Sequence, residues 1–256
     1  MVSQNKIEEV DADGNTCRGN GCLSINVAGQ NSWSDVETTE VDDDTTVYST
    51  TFTVVEDGVT FNLIAHVSTS ESQVNDTIPC SGCIGDSAGN CQDASMACED
   101  YETGTTCATG FDECVQLVNV TANSLKFAIM LEGATLSDPE NKIAYAIEIK
   151  DKSGSNGTAS TNDDGDSVIT FANGEITYPE VGYLVGGSEK TEVDVETGTS
   201  TQGSKYILEF VFPAPGDGET LYYDPTMRTA GSISSANAAA LACGSLALAA
   251  VTMLFV

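Results

Sequence analysis

Val47-Tyr-Ser-Thr-Thr-Phe-Thr-Val-Val55, then Glu56-Asp57-Gly58, then Val59-Thr-Phe-Asn-Leu-Ile-Ala-His-Val67 is the stretch that decides the fold class. Two β-branched and aromatic runs flank a short Asp-Gly turn, the pair that accepts positive φ at both centres of a tight hairpin. Both runs therefore read as antiparallel strands. Working outward, further short runs follow at 114–120, 124–131, 142–150, 168–171, 191–196 and 205–212, separated by segments carrying Gly, Asn, Asp and Pro. No long amphipathic helical period interrupts them. Short alternating runs with turn signals between them predict an all-β fold, an antiparallel β-sandwich.

Around this body the composition shifts. Residues 1–46 read as an acidic polar N-terminal segment with one short apolar run, Cys22-Leu-Ser-Ile-Asn-Val27. Residues 47–228 read as the sandwich, with a Cys-rich insertion at 79–114 that lacks hydrophobic periodicity. Residues 229–237 form a small-residue linker, and 238–256 a C-terminal hydrophobic helix or tail.

Thirty-nine acidic against nine basic residues give a formal charge of −30. Such a surface repels nucleic-acid phosphates and attracts cations, so calcium or a mineral face fits it by charge while nucleic acid does not. Cys17 and Cys22 form a close pair, and Cys80, Cys83, Cys91, Cys98, Cys107 and Cys114 form a dense block. Those eight, in short loops rich in Gly, Asp and Ser, predict a disulfide framework made in an oxidising compartment, with about 105 possible connectivities. The rival is zinc at Cys80-Ser-Gly-Cys83, but no second pair with that gap completes a tetrahedral site.

The stretch from Ala238 to Val256 holds nineteen residues without a charge, preceded by small polar residues from Thr229 to Asn237. That order matches a GPI attachment signal, with Asn237 as the first candidate attachment residue and Ser234 or Gly231 behind it; a spanning helix is the alternative. Met1 to Asn15 shows neither a basic nor an apolar signal region. The expectation is a chain whose natural start lies upstream, with a cytosolic or tail-anchored protein as the alternative. The predicted location is the extracellular face of the plasma membrane or a secreted matrix. Sequons at Asn75, Asn119 and Asn156 are candidate glycosylation sites, expected in or beside loops, with a place inside a strand as the alternative for Asn119.

Candidates for chemistry are few. His66 is the only histidine, lies inside an apolar run and reads as structural; no nucleophile motif accompanies it. No catalytic residue and no obligatory cofactor is expected. Two acidic turns, Asp11-Ala-Asp13-Gly-Asn15 and Asn162-Asp163-Asp164-Gly-Asp166, set oxygen ligands beside a glycine and are the candidate Ca²⁺ sites. Neither has the spacing of an EF-hand loop.

From Leu125 to Met227 the order Leu-Lys-Phe-Ala-Ile, Asn141-Lys-Ile-Ala-Tyr-Ala-Ile, Gly174-Glu-Ile-Thr-Tyr-Pro179, Tyr206-Ile-Leu-Glu-Phe-Val-Phe-Pro213 and Leu221-Tyr-Tyr-Asp-Pro225 resembles a known module. It is the non-acidic β module of the skeletal acidic Asp-rich proteins of stony corals and related marine surface proteins. The resemblance implies an extracellular acidic protein tied to calcium or mineral. The long Asp runs of that family are absent here, the longest being Asp42 to Asp44. The functional expectation is a non-enzymatic surface or matrix protein held to the membrane by its C-terminus. Its rival is a receptor or uptake module that takes a metal or small ligand through the Cys-rich region.

Overall fold

The computed structural model describes residues 2–27, 37–42, 45–68, 70–79, 97–98, 113–122, 124–149, 157–162, 165–172, 174–186, 189–202 and 205–229. Among the described residues the ordered structure is strand throughout, with no helix. One sheet contains β1 (Val2–Val10), β2 (Ser24–Asn26), β10 (Lys142–Ile149), β16 (Glu196–Gln202) and β17 (Lys205–Pro213), in the order β16-β17-β10-β1-β2. A larger sheet contains β3 (Glu37–Asp42), β4 (Thr45–Glu56), β5 (Val59–Ser68), β9 (Ser124–Glu132), β11 (Thr158–Thr161), β12 (Ser167–Phe171) and β13 (Gly174–Tyr178). To these it adds β14 (Val181–Gly186), β15 (Glu189–Asp194), β18 (Glu219–Tyr223) and β19 (Thr226–Thr229). A third holds β6 (Ser72–Pro79), β7 (Ala97–Cys98) and β8 (Glu113–Val120). Every strand pair is antiparallel except the two-residue contact of β7 with β8.

The β4–β5 hairpin forms as the Asp-Gly turn predicts. Asp57 and Gly58 take φ of 51° and 84°, the doubly positive geometry of a type I′ turn. Pairing then runs without a shift from Glu56↔Val59 to Val47↔Ser68. β9 organises the larger sheet. One edge pairs with β5 along its length, and the other is shared by β18 and β19.

The two larger sheets bury their inward residues in one common cluster, with Ile7, Tyr145, Leu208 and Phe210 from one side and Phe61, Phe127, Ile129 and Tyr223 from the other. Aromatic rings bridge the layers: Phe61 to Tyr145 at 5.5 Å, Tyr178 to Phe210 at 5.5 Å and Phe210 to Tyr223 at 5.1 Å between centroids. Burying each such side chain is worth roughly 1.5–3 kcal/mol, and a well-placed ring pair adds about 0.5–1.5 kcal/mol.

Two expectations need correction. The described residues of 1–46 belong to the β body rather than to a polar segment apart from it. β1 sits between β10 and β2, and Ile7, Val10, Leu23, Ile25 and Val27 are all buried. The alternation was hidden because a register shift between Gln4 and Ile7 breaks its period and an inward position is filled by a carboxylate, Glu9. The single strand expected at 191–196 is two. β15 ends in the larger sheet and β16 begins in the smaller one, with Val195 buried at the corner and its N–H donated to Glu180 O at 2.8 Å.

Of the Cys-rich insertion only its two ends and residues 97–98 are described. They form the third sheet, whose Val74 and Val120 pack with Val47 of β4. The C-terminal segment from 230 onward lies outside the described residues. Among the described residues no helix is long and apolar enough to cross a membrane.

Candidate functional site

His66 stands in the middle of the larger sheet, opposite Ser49 of β4 on one side and Lys126 of β9 on the other. It is 2% exposed, and Ser49 Oγ lies 2.8 Å from its Nδ1. Beside it Lys126 Nζ pairs with Asp224 Oδ2 at 2.7 Å. The row is polar but enclosed: the imidazole offers almost no surface to a solute.

The two acidic turns share one construction. In the first, Asp11 N–H donates to Asn15 O at 2.9 Å and Gly14 N–H to Asp11 O at 2.9 Å. Asp11 Oδ1 accepts the N–H groups of Asp13 and Asn15 at 3.0 and 2.8 Å. In the second, Asn162 N–H donates to Asp166 O at 2.9 Å, Gly165 N–H to Asn162 O at 3.2 Å, and Asp166 N–H to Asn162 Oδ1 at 2.8 Å. Gly14 and Gly165 take φ of 80° and 94°. Both are therefore hairpin turns in which an Asx side chain caps the loop and a left-handed glycine closes it. The N–H groups of Asn15 hold the Asp11 carboxyl below the usual carboxylate range. Asp13 stands exposed beside this turn, and Asp166 Oδ2 accepts from Asn162 Nδ2 at 3.2 Å. Asp163 and Asp164 lie outside the described residues.

The arrangement with the densest chemistry is one the sequence did not announce. Glu9 is fully buried and its carboxylate meets four donors. Oε2 accepts Leu23 N–H at 2.9 Å; Oε1 accepts Ser137 N–H at 2.9 Å, Ser137 Oγ–H at 2.5 Å and Asn141 Nδ2–H at 2.7 Å. Burial pushes this carboxyl up, but the donors from Ser137, Asn141 and Leu23 together outweigh it and leave it below its ordinary range. The backbone of Glu9 adds two more ties, donating to Leu23 O at 2.9 Å and accepting Cys17 N–H at 2.8 Å.

Cys17 and Cys22 are disulfide-bonded, with Cα atoms 5.8 Å apart. Their six-residue loop is thus gripped at its base by Glu9, while Arg18, Gly19, Asn20 and Gly21 at its tip are exposed. The Glu9 carboxylate and both sulfurs lie within 4.8 Å of one another. Joined to each other, the sulfurs are not thiolates, and Glu9 is engaged by its four donors, so the group works as a staple between β1, the disulfide loop and the 134–141 connection. The only sequence signal for it was an acid two places after inward-facing Ile7.

The remaining predicted positions are scattered. Cys98 lies in β7 and Cys114 in β8; Cys80, Cys83, Cys91 and Cys107 are outside the described residues. Asn75 and Asn119 lie within β6 and β8, two positions out of direct register, rather than in loops. Asn156 and Asn237 are outside the described residues. Among the described residues, the candidate metal ligands Asp11, Asp13 and Asp166 are not gathered into one cluster. Compared with family models and with curated proteins, the chain matches none.

Proposed function

We propose that this chain is a non-enzymatic acidic protein of the cell surface or matrix, a β-sandwich displayed outside the cell and held to the membrane through the apolar stretch 238–256. The observation that carries this reading is the division of charge. Among residues whose side chains are described, Glu9 is the only buried acid, in a chain of net charge −30. The other described acids lie wholly or partly at the surface around an aromatic core, an arrangement that keeps the protein dispersed and draws cations to it. A Cys17–Cys22 bond suits an oxidising compartment, and the enclosure of His66 suits a body without acid–base chemistry. The resemblance of residues 125–227 to coral skeletal acidic proteins points the same way. Calcium or mineral would be held loosely by the coat, without a caged ion.

The test is treatment of cells expressing the chain behind a secretion signal with a phosphatidylinositol-specific phospholipase. Release of a product ending near Asn237 and lacking free thiols is expected; retention with free cysteines overturns the anchored, oxidised reading. Calorimetry of the released body with Ca²⁺ should give weak heats that fade with added salt. Saturable, stoichiometric binding would instead favour a receptor with a specific ligand.

A further inference from the structure

The structure assigns Asn20 as a self-modifying site whose product displays Arg-Gly-Asp on a disulfide-closed loop. The sequence there is Cys17-Arg-Gly-Asn-Gly-Cys22. Conversion of an Asn-Gly pair requires the glycine N–H to reach the Asn side-chain carbonyl, so it needs a backbone free of bulk and of competing hydrogen bonds. Gly19 and Gly21 on either side of Asn20 take φ of 152° and 100°, and a Cβ on either would meet nothing within 4 Å. Asn20 is exposed. Neither its side chain nor the Gly21 N–H has a hydrogen-bond partner among the described residues.

The other two Asn-Gly pairs differ. A Cβ on Gly157 would lie 2.4 Å from Ile169 Cγ2, so that glycine is packed against the body. Gly174 is buried and held in β13, in register with Phe171 and Thr229.

The step balances with water alone. Gly21 N attacks Asn20 Cγ, a C–N bond forms in a five-membered imide, and the side-chain nitrogen leaves as ammonia. Water then opens the ring at either carbonyl, giving aspartate or its β-linked isomer. Asn plus water thus becomes a carboxylate plus ammonia, with no oxidant, reductant or enzyme.

The product changes what the loop shows. Arg18 is exposed and has no ion pair among the described residues, although the chain is strongly acidic. After conversion a guanidinium and a carboxylate stand two positions apart on a loop that the disulfide closes and Glu9 grips, so little ordering remains to be done on binding. The partner this fits is a cell-surface receptor that offers a carboxylate to the guanidinium and a bound divalent cation to the new carboxylate. The covalent step stands apart from the surface-protein reading; the receptor step rests on it.

The experiment ages the purified full chain at neutral pH, maps its peptides by mass, and then plates cells on immobilised protein. Asn20 should exchange NH for O ahead of Asn156 and Asn173. The Asn20→Asp variant should hold on the order of tenfold more cells than Asn20→Gln, the factor that losing one hydrogen bond to a charged group corresponds to. That gain should vanish with a chelator and with Arg18→Ala placed in the Asn20→Asp background. An intact Asn20 beside a converted Asn156 or Asn173 overturns the modification. Equal attachment to the Asp and Gln variants, or attachment that survives chelation, overturns the receptor. Because the protein is immobilised directly, failure of the membrane anchor leaves these readouts unchanged.

Discussion

Two reversals of the chain, the β4–β5 tip and the Cys17–Cys22 loop, solve the same problem by opposite means. At the tip, backbone geometry suffices: Asp57 and Gly58 accept positive φ, and ladder pairing resumes at Glu56↔Val59. The cysteine loop has no ladder of its own and is held by a covalent bond and a buried carboxylate. The first kind of turn is local and leaves its shape in the residues that make it. The second depends on Ser137 and Asn141, more than a hundred positions away.

The comparison is broken most severely where the two regions share a core. Phe210→Ala removes a ring that bridges both sheets, and a loss of about 3–5 kcal/mol is expected by denaturant unfolding. Next comes the tip. Gly133 takes φ of 71°, and a Cβ there would lie 2.4 Å from Gly58 O, a backbone atom that cannot step aside. Gly133→Ala should cost roughly 2–4 kcal/mol, combining left-handed strain with displacement of the hairpin end. At the cysteine loop, Cys17→Ser together with Cys22→Ser should cost about 2 kcal/mol, since a short ring removes limited chain entropy. Near-normal core protection in hydrogen exchange should accompany that loss, in contrast to the tip variant.

Glu9→Gln tests the other half of the staple, with an expected cost of about 1–3 kcal/mol at neutral pH from mismatched donors around a buried amide. Its pH behaviour gives the sharper reading. Because the folded carboxyl is held below its ordinary value, its stabilising contribution is complete above the unfolded pKa and is lost as pH falls through the folded one. Acid unfolding of the native chain should therefore steepen below the ordinary carboxylate range, and Glu9→Gln should flatten that slope. The smallest effect belongs to Asp11→Ala, which should loosen the first turn, seen as faster amide exchange at Asp13 and Asn15, with the body unchanged.

These contrasts explain what was legible beforehand. The β4–β5 hairpin and the runs at β9, β10 and β17 could be read because their period is two and their turn residues are local. β1 could not, because Glu9 occupies an inward position and a register shift spoils the alternation. The sheet change at Val195 was invisible because Thr191 to Glu196 reads as one strand, and only packing shows where it crosses. In the sequence the acidic turns read as loops, and nothing there shows that Asp11 and Asn162 spend their side chains on capping them. The Glu9 staple is hidden in the sequence because its donors are distant along the chain and ordinary in type.

The pairing of β1 with β10 also sets an order of events for a chain leaving the ribosome. β1 pairs nearby with β2, but its other edge waits for β10 about 140 positions later, and β10 in turn completes its other edge only with β17. The β3–β4–β5 meander closes early from neighbouring residues, whereas the smaller sheet is assembled late from three remote parts of the chain. Long-range closure is slow and leaves edges bare in the meantime. A nascent chain with so many carboxylates repels its own copies through that interval, so its charge serves assembly before it serves any surface.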